Sequence, residues 1–271
     1  MDKIKILVAC HKKADVYSND VYLPIHVGKA LSSEDLGFIG DNTGDNISIK
    51  NRQYCELTAQ YWAWKNLDCE YVGLCHYRRY LASEFSQDNV ELLMNGADIV
   101  LAKSIYFDKS LLAWHKEALT EEDVYIFYNL FKKVYPQFSL DLDKVYLQGN
   151  KLNPGNIFLC KKTLFDEFAK WQFDFFFELE KVLRPSGYSR LNRIVGYFGE
   201  VMFDIYVSIR NLKVLEMPLV SMMGKNEHVL DMGWKERIIK NFRFKRFNCS
   251  NKWSEAVVTG MKADGIYDHI K

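Results

Sequence analysis

The stretch from Gly40 to Leu81, GDNTGDNISIKNRQYCELTAQYWAWKNLDCEYVGLCHYRRYL, carries side chains of different chemistry at its two ends. Asp41, Asn42, Asp45 and Asn46 open it with acids and amides around Thr43, and the carboxylates can hold hydroxyl groups or a divalent metal. His76, Tyr77, Arg78 and Arg79 close it. Two neighbouring guanidiniums can donate forked hydrogen bonds to phosphate oxygens and neutralise their charge. Alternatively, one Arg pairs with Asp41 or Asp45 and props its own loop, and part of the acidic turn is structural, because Asn-Thr-Gly and Asp-Asn are ordinary turn formers. Loops carry chemistry while the elements between them hold it in place, so a helix and strand flanked by such groups frame a candidate site.

The elements that must position these groups read as alternating strands and helices. Ile4 to Ala9 is apolar apart from Lys5, as expected of a strand covered on both faces, and it delivers Cys10, His11, Lys12 and Lys13 to its carboxyl edge. In open α/β sheets that edge is where ligands bind, which makes His11 a candidate contact to a base or phosphate. Leu23-Pro24-Ile25 reads as loop and short helix, and Phe38-Ile39 as a short strand. Asn51 can cap a helix running to about Asn66. Tyr71 to Cys75, Ile99 to Ala102, Asn156 to Cys160 and Val214 to Leu219 read as further strands. Thr120 can cap a helix that ends before Pro136. Leu164 to Val182 has strong three- and four-residue periodicity, and Glu200 is expected to open a helix over Val201 to Ile209. The alternation predicts an α/β fold, a mostly parallel central sheet flanked by helices.

At 271 residues, the chain is long enough for a sizeable core, and its net charge of +1 gives no global field for nucleic acid. The 15% of aromatic residues suits both core filling and stacking on flat or sugar-like ligands. The six cysteines show no CxxC pair and no zinc-type spacing, and most sit in apolar runs as buried thiols do. No apolar run reaches the roughly 18 to 20 residues of a membrane span. The early charges of MDKIKILVACHKK do not resemble a signal peptide, so a cytoplasmic location is expected, peripheral to the inner face of the membrane if the tail docks there. Residues 226–271 change character. Trp234 to Trp253 interleaves Lys235, Arg237, Lys240, Arg243, Lys245 and Arg246 with Ile238, Ile239, Phe242, Phe244 and Phe247. Such a tail either packs its aromatic side on the domain of residues 1–225 or lies on an anionic membrane surface.

The string GDNIS-x-KN-x-x-Y-x-ELT-x-x-YW-x-WKN followed by YVGLCHYRRYL resembles bacterial capsular and exopolysaccharide glycosyltransferases, a family long catalogued as a domain of unknown function. NIFLCKKTLFDEF and RIVGYFGEVMFDIY resemble two later blocks of that family, and the likeness covers roughly Ile4 to Leu219. The resemblance implies a GT-A-like fold and transfer of a sugar from a nucleotide-diphosphate donor, with UDP-galactofuranose among the donors, to a lipid-linked capsular, exopolysaccharide or O-antigen glycan. The chain departs from the family pattern at Leu152-Asn153-Pro154-Gly155, and at Lys116, where a second His often follows the one matching His115.

Under that resemblance the residues take roles. The buried strand YVGLC is followed by His76-Tyr77-Arg78-Arg79 in place of an acidic metal-binding pair, so the two guanidiniums are expected to stabilise the departing diphosphate and no metal cofactor is expected. Manganese or magnesium on Asp41 and Asp45 is the alternative. Asp141-Leu142-Asp143 spells the acidic motif but follows a helix and polar loop, and reads as solvated surface. His11, Asp41, Asp45, Asn46, His76, Arg78 and Arg79 are the expected donor contacts, and His115, Asn156 and Tyr197 the acceptor contacts. Glu200 is the expected base of an inverting transfer, with Gly199 beside it leaving room for substrate. An acid favoured at a helix N-terminus is its structural alternative. Asp98 and Glu227 are weaker candidates for the base, and His228 for closing over the diphosphate. Two non-catalytic readings compete: a carbohydrate- or nucleotide-binding module, and a scaffold of a polysaccharide assembly complex.

Overall fold

The computed structural model describes residues 2–222, 228–247 and 251–271. Strand β1 (Asp2–Cys10) lies inside the sheet, between β2 (Tyr22–His26) and β4 (Cys69–His76), both parallel to it. Beyond β2 lies β3 (Ile39–Gly40). The remaining strands are β5 (Arg79–Leu81), β6 (Ile99–Ala102), β7 (Ile105–Tyr106), β8 (Lys151–Leu152), β9 (Phe158–Lys161), β10 (Val214–Met217), β11 (Leu219–Ser221) and β12 (His228–Leu230). The main sheet runs in the order β10-β6-β9-β4-β1-β2-β3, and all but β9 are parallel. At the carboxyl end of β4 the chain turns back into β5, which pairs with β11, and β11 pairs with β12. β7 and β8 form a separate two-stranded ribbon. This is the mostly parallel α/β architecture expected.

The helices are α1 (Asn51–Tyr54), α2 (Leu57–Asn66), α3 (Val90–Met94), α4 (Leu111–Ala118), α5 (Glu121–Val134), α6 (Ser139–Tyr146), α7 (Lys162–Glu180), α8 (Ser189–Asn192), α9 (Ile194–Arg210), α10 (Trp234–Phe247), α11 (Glu255–Ala263) and α12 (Tyr267–Ile270). Alternation along the strands sorts them into two layers. Leu7, Val72, Leu74 and Phe158 join a large core with α2, α5, α7 and α9. Ile4, Ile6, Val8, Cys75 and Leu159 face a smaller one with Tyr22, Tyr80, Phe85 and α3.

Four local expectations differ from the structure. Leu23-Pro24-Ile25 is not loop and helix but lies in β2; β3 pairs only Ile25 and His26, so Pro24 sits where no ladder bond is required on that side. The helix expected over Asn51 to Asn66 breaks at Cys55, whose φ is 51°, because the Asn51 amide takes the Cys55 carbonyl at 2.7 Å and the Thr58 hydroxyl at 3.0 Å. α9 begins at Ile194, upstream of Glu200. Gly196 and Gly199 cost about 1 kcal/mol each inside a helix, whereas burying Phe198 and Val201 contributes about 1.5–3 kcal/mol apiece, so the helix runs through both glycines. Pro218 separates β10 from β11 in place of one strand.

The tail falls into two parts. Residues 251–271 pack against α4 and α5: Trp253 sits edge-on to Tyr125, and Val257, Met261, Ile266 and Ile270 are buried in the large core. Lys116, the departure from the family pattern, lies 5.2 Å over the Trp253 ring and donates to the Lys252 carbonyl at 2.6 Å. α10 lies differently, touching the β7–β8 ribbon through one face only, as described below.

Candidate active site

A cleft of about 870 Å³ opens at the carboxyl edge of β1 and β4, large enough for a nucleotide sugar. Ala9 and His11 reach it from the end of β1, His76, Tyr77, Arg78 and Arg79 from the β4–β5 turn, and Cys55 and Glu56 from the break between α1 and α2. The opposite wall comes from α8 and the start of α9, with Arg193, Tyr197 and Glu200. The chain thus brings four expected donor residues, the expected base and one expected acceptor residue to one cavity.

Its floor is a polar knot. Asn156 donates through Nδ2 to Glu56 Oε1 at 2.6 Å and to the Gly196 carbonyl at 3.1 Å. His76 Nε2 lies 2.9 Å from the Gly155 carbonyl, which can only accept, so Nε2 carries the proton there. The same nitrogen is 3.6 Å from Glu56 Oε1. Gly155 and Asn156 have φ of 85° and 55°, a tight reversal that turns carbonyl and amide towards these partners.

The charges follow from this geometry. Burial opposes ionisation of His76, but the Glu56 carboxylate and the Gly155 carbonyl outweigh it and raise its pKa. Burial likewise pushes Glu56 up, yet His76 and the Asn156 amide leave it below the usual carboxylate range. Glu200 has the reverse balance. Burial first, and then the Glu56 charge, push its pKa up to about 7, against a backbone hydrogen bond from Gly155 and attraction to His76 and Arg79. Glu56 is therefore the fixed anion and Glu200 the carboxyl poised near neutrality, which is what a general base needs.

Cations line the rim. Arg78 and Arg79 are exposed, and Arg78 lies 4.9 Å over the Tyr77 ring. Arg193 lies 5.7 Å over the Tyr197 ring and donates through Nε to Cys55 Sγ at 3.0 Å. His11 meets the Tyr77 ring edge-on at 5.4 Å. Its pKa is lowered by desolvation and by Arg78, Lys12, Arg193 and His76, so it stays neutral at pH 7 and offers a hydrogen bond to an anion rather than a charge.

Other expected residues lie elsewhere. Asp41 is fully buried; it accepts from the backbone of Gly28 at 2.8 Å and Lys29 at 3.1 Å and from the Ser48 hydroxyl, so it fixes the turn after β2 instead of meeting a donor. Asp45 and Asn46 serve the same acidic turn. Asp45 accepts from the Tyr61 hydroxyl at 3.1 Å, and Asn46 donates to the Gly44 carbonyl at 2.9 Å. Neither Arg78 nor Arg79 pairs with these acids. His115 does not line the cleft: it is buried in the core, bonded at 2.9 Å to the Tyr146 hydroxyl. Asn156 is present below the cleft but committed to Glu56 and Gly196.

Asp98 accepts from the Lys213 backbone at the amino edge of β6, away from the cleft. Asp141 and Asp143 are not solvated surface. Asp141 accepts from Ser208 at 2.8 Å, and Asp143 pairs with Lys132 at 2.7 Å and takes the Tyr128 hydroxyl. Glu227 and the His228 side chain lie outside the described residues. Gly199 leaves no room for substrate, because a Cβ there would meet Leu57 Cδ1 at 2.8 Å and Asn156 Oδ1 at 2.9 Å. Glu200 stands in the second turn of α9, so an N-terminal acid is not its role. Glu56 and Arg193 also line the cleft, beyond the residues expected there. An unbroken helix over Asn51 to Asn66 gives Glu56 no special place, and the signal for both residues is their position inside the blocks ELT and RIVGYFGE.

The mostly parallel α/β sheet with one reversed strand and helices on both faces agrees with the GT-A-like fold that the sequence resemblance implies. Residues 5–211 match the family described as a domain of unknown function (DUF4422), and the chain belongs to that family. Its structure is similar to that of WbbM, a bifunctional glycosyltransferase solved in its apo form, with a TM-score of 0.75 and 28% sequence identity over 86% of this chain. The match spans 48% of the WbbM chain, about half its length. No curated protein matches the sequence.

Proposed function

We propose that this chain is a glycosyltransferase that moves a sugar from a nucleotide-diphosphate donor to a glycan hydroxyl. The observation that carries the reading is the pairing, in one cleft, of a cationic rim from Arg78, Arg79 and Arg193 with a carboxyl, Glu200, whose pKa is raised to about 7. In the proposed reaction Glu200 takes the acceptor proton as the hydroxyl oxygen attacks the anomeric carbon. The bond from that carbon to the diphosphate oxygen breaks, and the leaving diphosphate departs with its charge met by the guanidiniums. One displacement inverts the anomeric centre. A uridine diphosphate donor, UDP-galactofuranose first among those to be screened, and a lipid-linked capsular, exopolysaccharide or O-antigen acceptor complete the reading. The likeness to a glycosyltransferase and the resemblance of the sequence blocks support it.

The proposed clamp needs no divalent metal. Calorimetric titration of the protein with UDP, with EDTA and then with manganese, tests it. The expected result is binding in EDTA that the double variant Arg78→Ala/Arg79→Ala weakens by about tenfold or more, since each charge-assisted hydrogen bond contributes roughly 1.5–3 kcal/mol. Binding that appears only with manganese would overturn the clamp. UDP-sugar turnover unchanged in Glu200→Gln would overturn the assignment of the base and favour a module that binds without catalysis.

A further inference from the structure

Helix α10 is fastened to the protein by one face. The Asn150 amide donates to Asn241 Oδ1 at 2.9 Å, and Arg237 lies 5.7 Å over the Tyr106 ring while donating to Asp231 at 2.9 Å and to the Met232 carbonyl at 3.1 Å. Lys103 adds a second bond to Asp231 at 2.6 Å. These contacts fix which side looks outwards. At 100° per residue, Arg237, Lys240, Asn241 and Phe244 share the inward arc, and all four are half-buried.

The outward arc holds large apolar side chains that are exposed among the described residues. Trp234 is 67% exposed, Ile238 59%, Ile239 51% and Phe242 64%. Between and beside them stand Lys235, Arg243, Lys245 and Arg246, all exposed, with Glu236 the one acid of the helix. Although the net charge of the chain is only +1, this helix face carries four exposed cations beside four exposed large apolar side chains. Among the described residues, no helix is long and apolar enough to cross a membrane.

We infer that α10 is a docking surface for an anionic phospholipid bilayer, lying in the plane of the interface. Trp234, Ile238 and Phe242 recur every four residues and would enter the boundary between headgroups and acyl chains. The flanking lysines and arginines extend along that surface and meet lipid phosphates. Nucleic acid is the poorer fit, because it offers phosphates but no apolar medium for four large side chains. The surface connects to the cleft through the sheet: a three-residue link joins α10 to β12, β12 pairs with β11, and Ser221 of β11 is opposite Arg79. The inference stands apart from the proposed transfer, and its test needs no substrate.

The test is flotation of the full chain with vesicles of phosphatidylcholine alone and of phosphatidylcholine with phosphatidylglycerol. Binding to the anionic vesicles, a blue shift of tryptophan fluorescence, and a drop of at least about tenfold in partitioning for Trp234→Ser/Ile238→Ser/Phe242→Ser are expected. A second variant, Lys235→Gln/Lys245→Gln/Arg246→Gln, should lose binding to anionic vesicles while its melting temperature stays that of the parent. No binding to either vesicle, or binding that neither variant changes, would overturn the inference. So would loss of self-association in the Ser variant by light scattering without any vesicle binding, which would make the face a contact between copies. Equal salt-sensitive retention on a single-stranded oligonucleotide without vesicle binding would assign the surface to nucleic acid and also overturn it.

Discussion

The amide of Asn156 donates to the carboxylate of Glu56 at 2.6 Å, joining residues 100 positions apart beneath the cleft. Together with the larger effect of His76, this bond favours the charged form of Glu56. The Glu56 charge in turn helps push Glu200 up to about 7. Glu56→Gln therefore removes one cause of the raised Glu200 pKa and also the carboxylate that keeps His76 protonatable. The ascending limb of a kcat/KM against pH profile should move to lower pH in this variant. A limb that stays in place would detach Glu200 from Glu56.

Asn156 itself sits at φ 55°, a left-handed conformation that Asn and Gly tolerate better than Ala. Asn156→Gly keeps the backbone relaxed and loses only the amide, while Asn156→Ala adds backbone strain to the same loss. Leaving a buried carboxylate oxygen short of a donor costs about 1–3 kcal/mol, and the strained conformation about 1 kcal/mol or more beyond that. Urea denaturation should order the stabilities as parent, Gly variant, Ala variant. An Ala variant as stable as the Gly variant would contradict the strain.

Glu200 links activity to stability with opposite signs. Its folded pKa of about 7 exceeds the ordinary value of 4.5, so between those pH values the folded protein binds more protons than the unfolded chain. Stability from this group is complete below about pH 4.5 and is lost as pH rises through about 7. Glu200→Gln should accordingly raise the melting temperature at pH 8 relative to parent and leave it nearly unchanged at pH 4.5, by a difference on the order of 1–3 kcal/mol. The same variant should lower kcat by about 100-fold or more, as loss of a general base does. A variant that is less stable than parent at pH 8 would show that the ionised carboxylate is held by partners that outweigh its burial and the repulsion from Glu56.

The sequence displayed some parts of this site and concealed others for physical reasons. β1 and β4 are plain apolar runs, so His11 and the His76 to Arg79 cluster could be placed at the carboxyl edge from pattern alone. Periodicity could not show that the Asn51 side-chain amide donates to the Cys55 carbonyl and the Thr58 hydroxyl, the contacts that accompany the helix break beside Glu56. Asp41 looked like a ligand because turn acids and binding acids have the same composition; only the three donors around it distinguish them. The glycines of GYFGE suggested an open approach for substrate, whereas they admit Cys55, Leu57 and Asn156 against the helix.

That packing makes Gly199 a sensitive position. A Cβ at Gly199 would come within 2.8 Å of Leu57 and 2.9 Å of Asn156 Oδ1, closer than real contacts allow. Gly199→Ala gains about 1 kcal/mol of helix propensity but overpacks the junction, which typically costs 1–3 kcal/mol. The net expectation is destabilisation of up to about 2 kcal/mol together with a displaced Asn156, and hence a change in the pH profile through Glu56. Gly196→Ala is milder on the Cys55 side, where the approach is 3.0 Å to Sγ. If Gly199→Ala melts at or above the parent temperature, the junction is looser than these distances imply.

His115 offers a test that separates core from acceptor site. Burial drives its pKa down to about 3, and its Nδ1 lies 2.9 Å from the hydroxyl of Tyr146, which is itself buried. The unfolded chain protonates near 6.5, so the stability tied to His115 is complete above that pH and is lost as pH falls towards 3. The slope approaches about 1.4 kcal/mol per pH unit in the middle of that window. This opposes the Glu200 contribution, so the difference between His115→Phe and parent, rather than the parent curve, isolates it. His115→Phe should be less stable at pH 8 by about 1–3 kcal/mol, because the Tyr146 hydroxyl loses its partner, and the deficit should shrink as the pH drops to 5. Acceptor KM should stay at the parent value throughout. A raised KM with unchanged melting temperature would return His115 to the acceptor site.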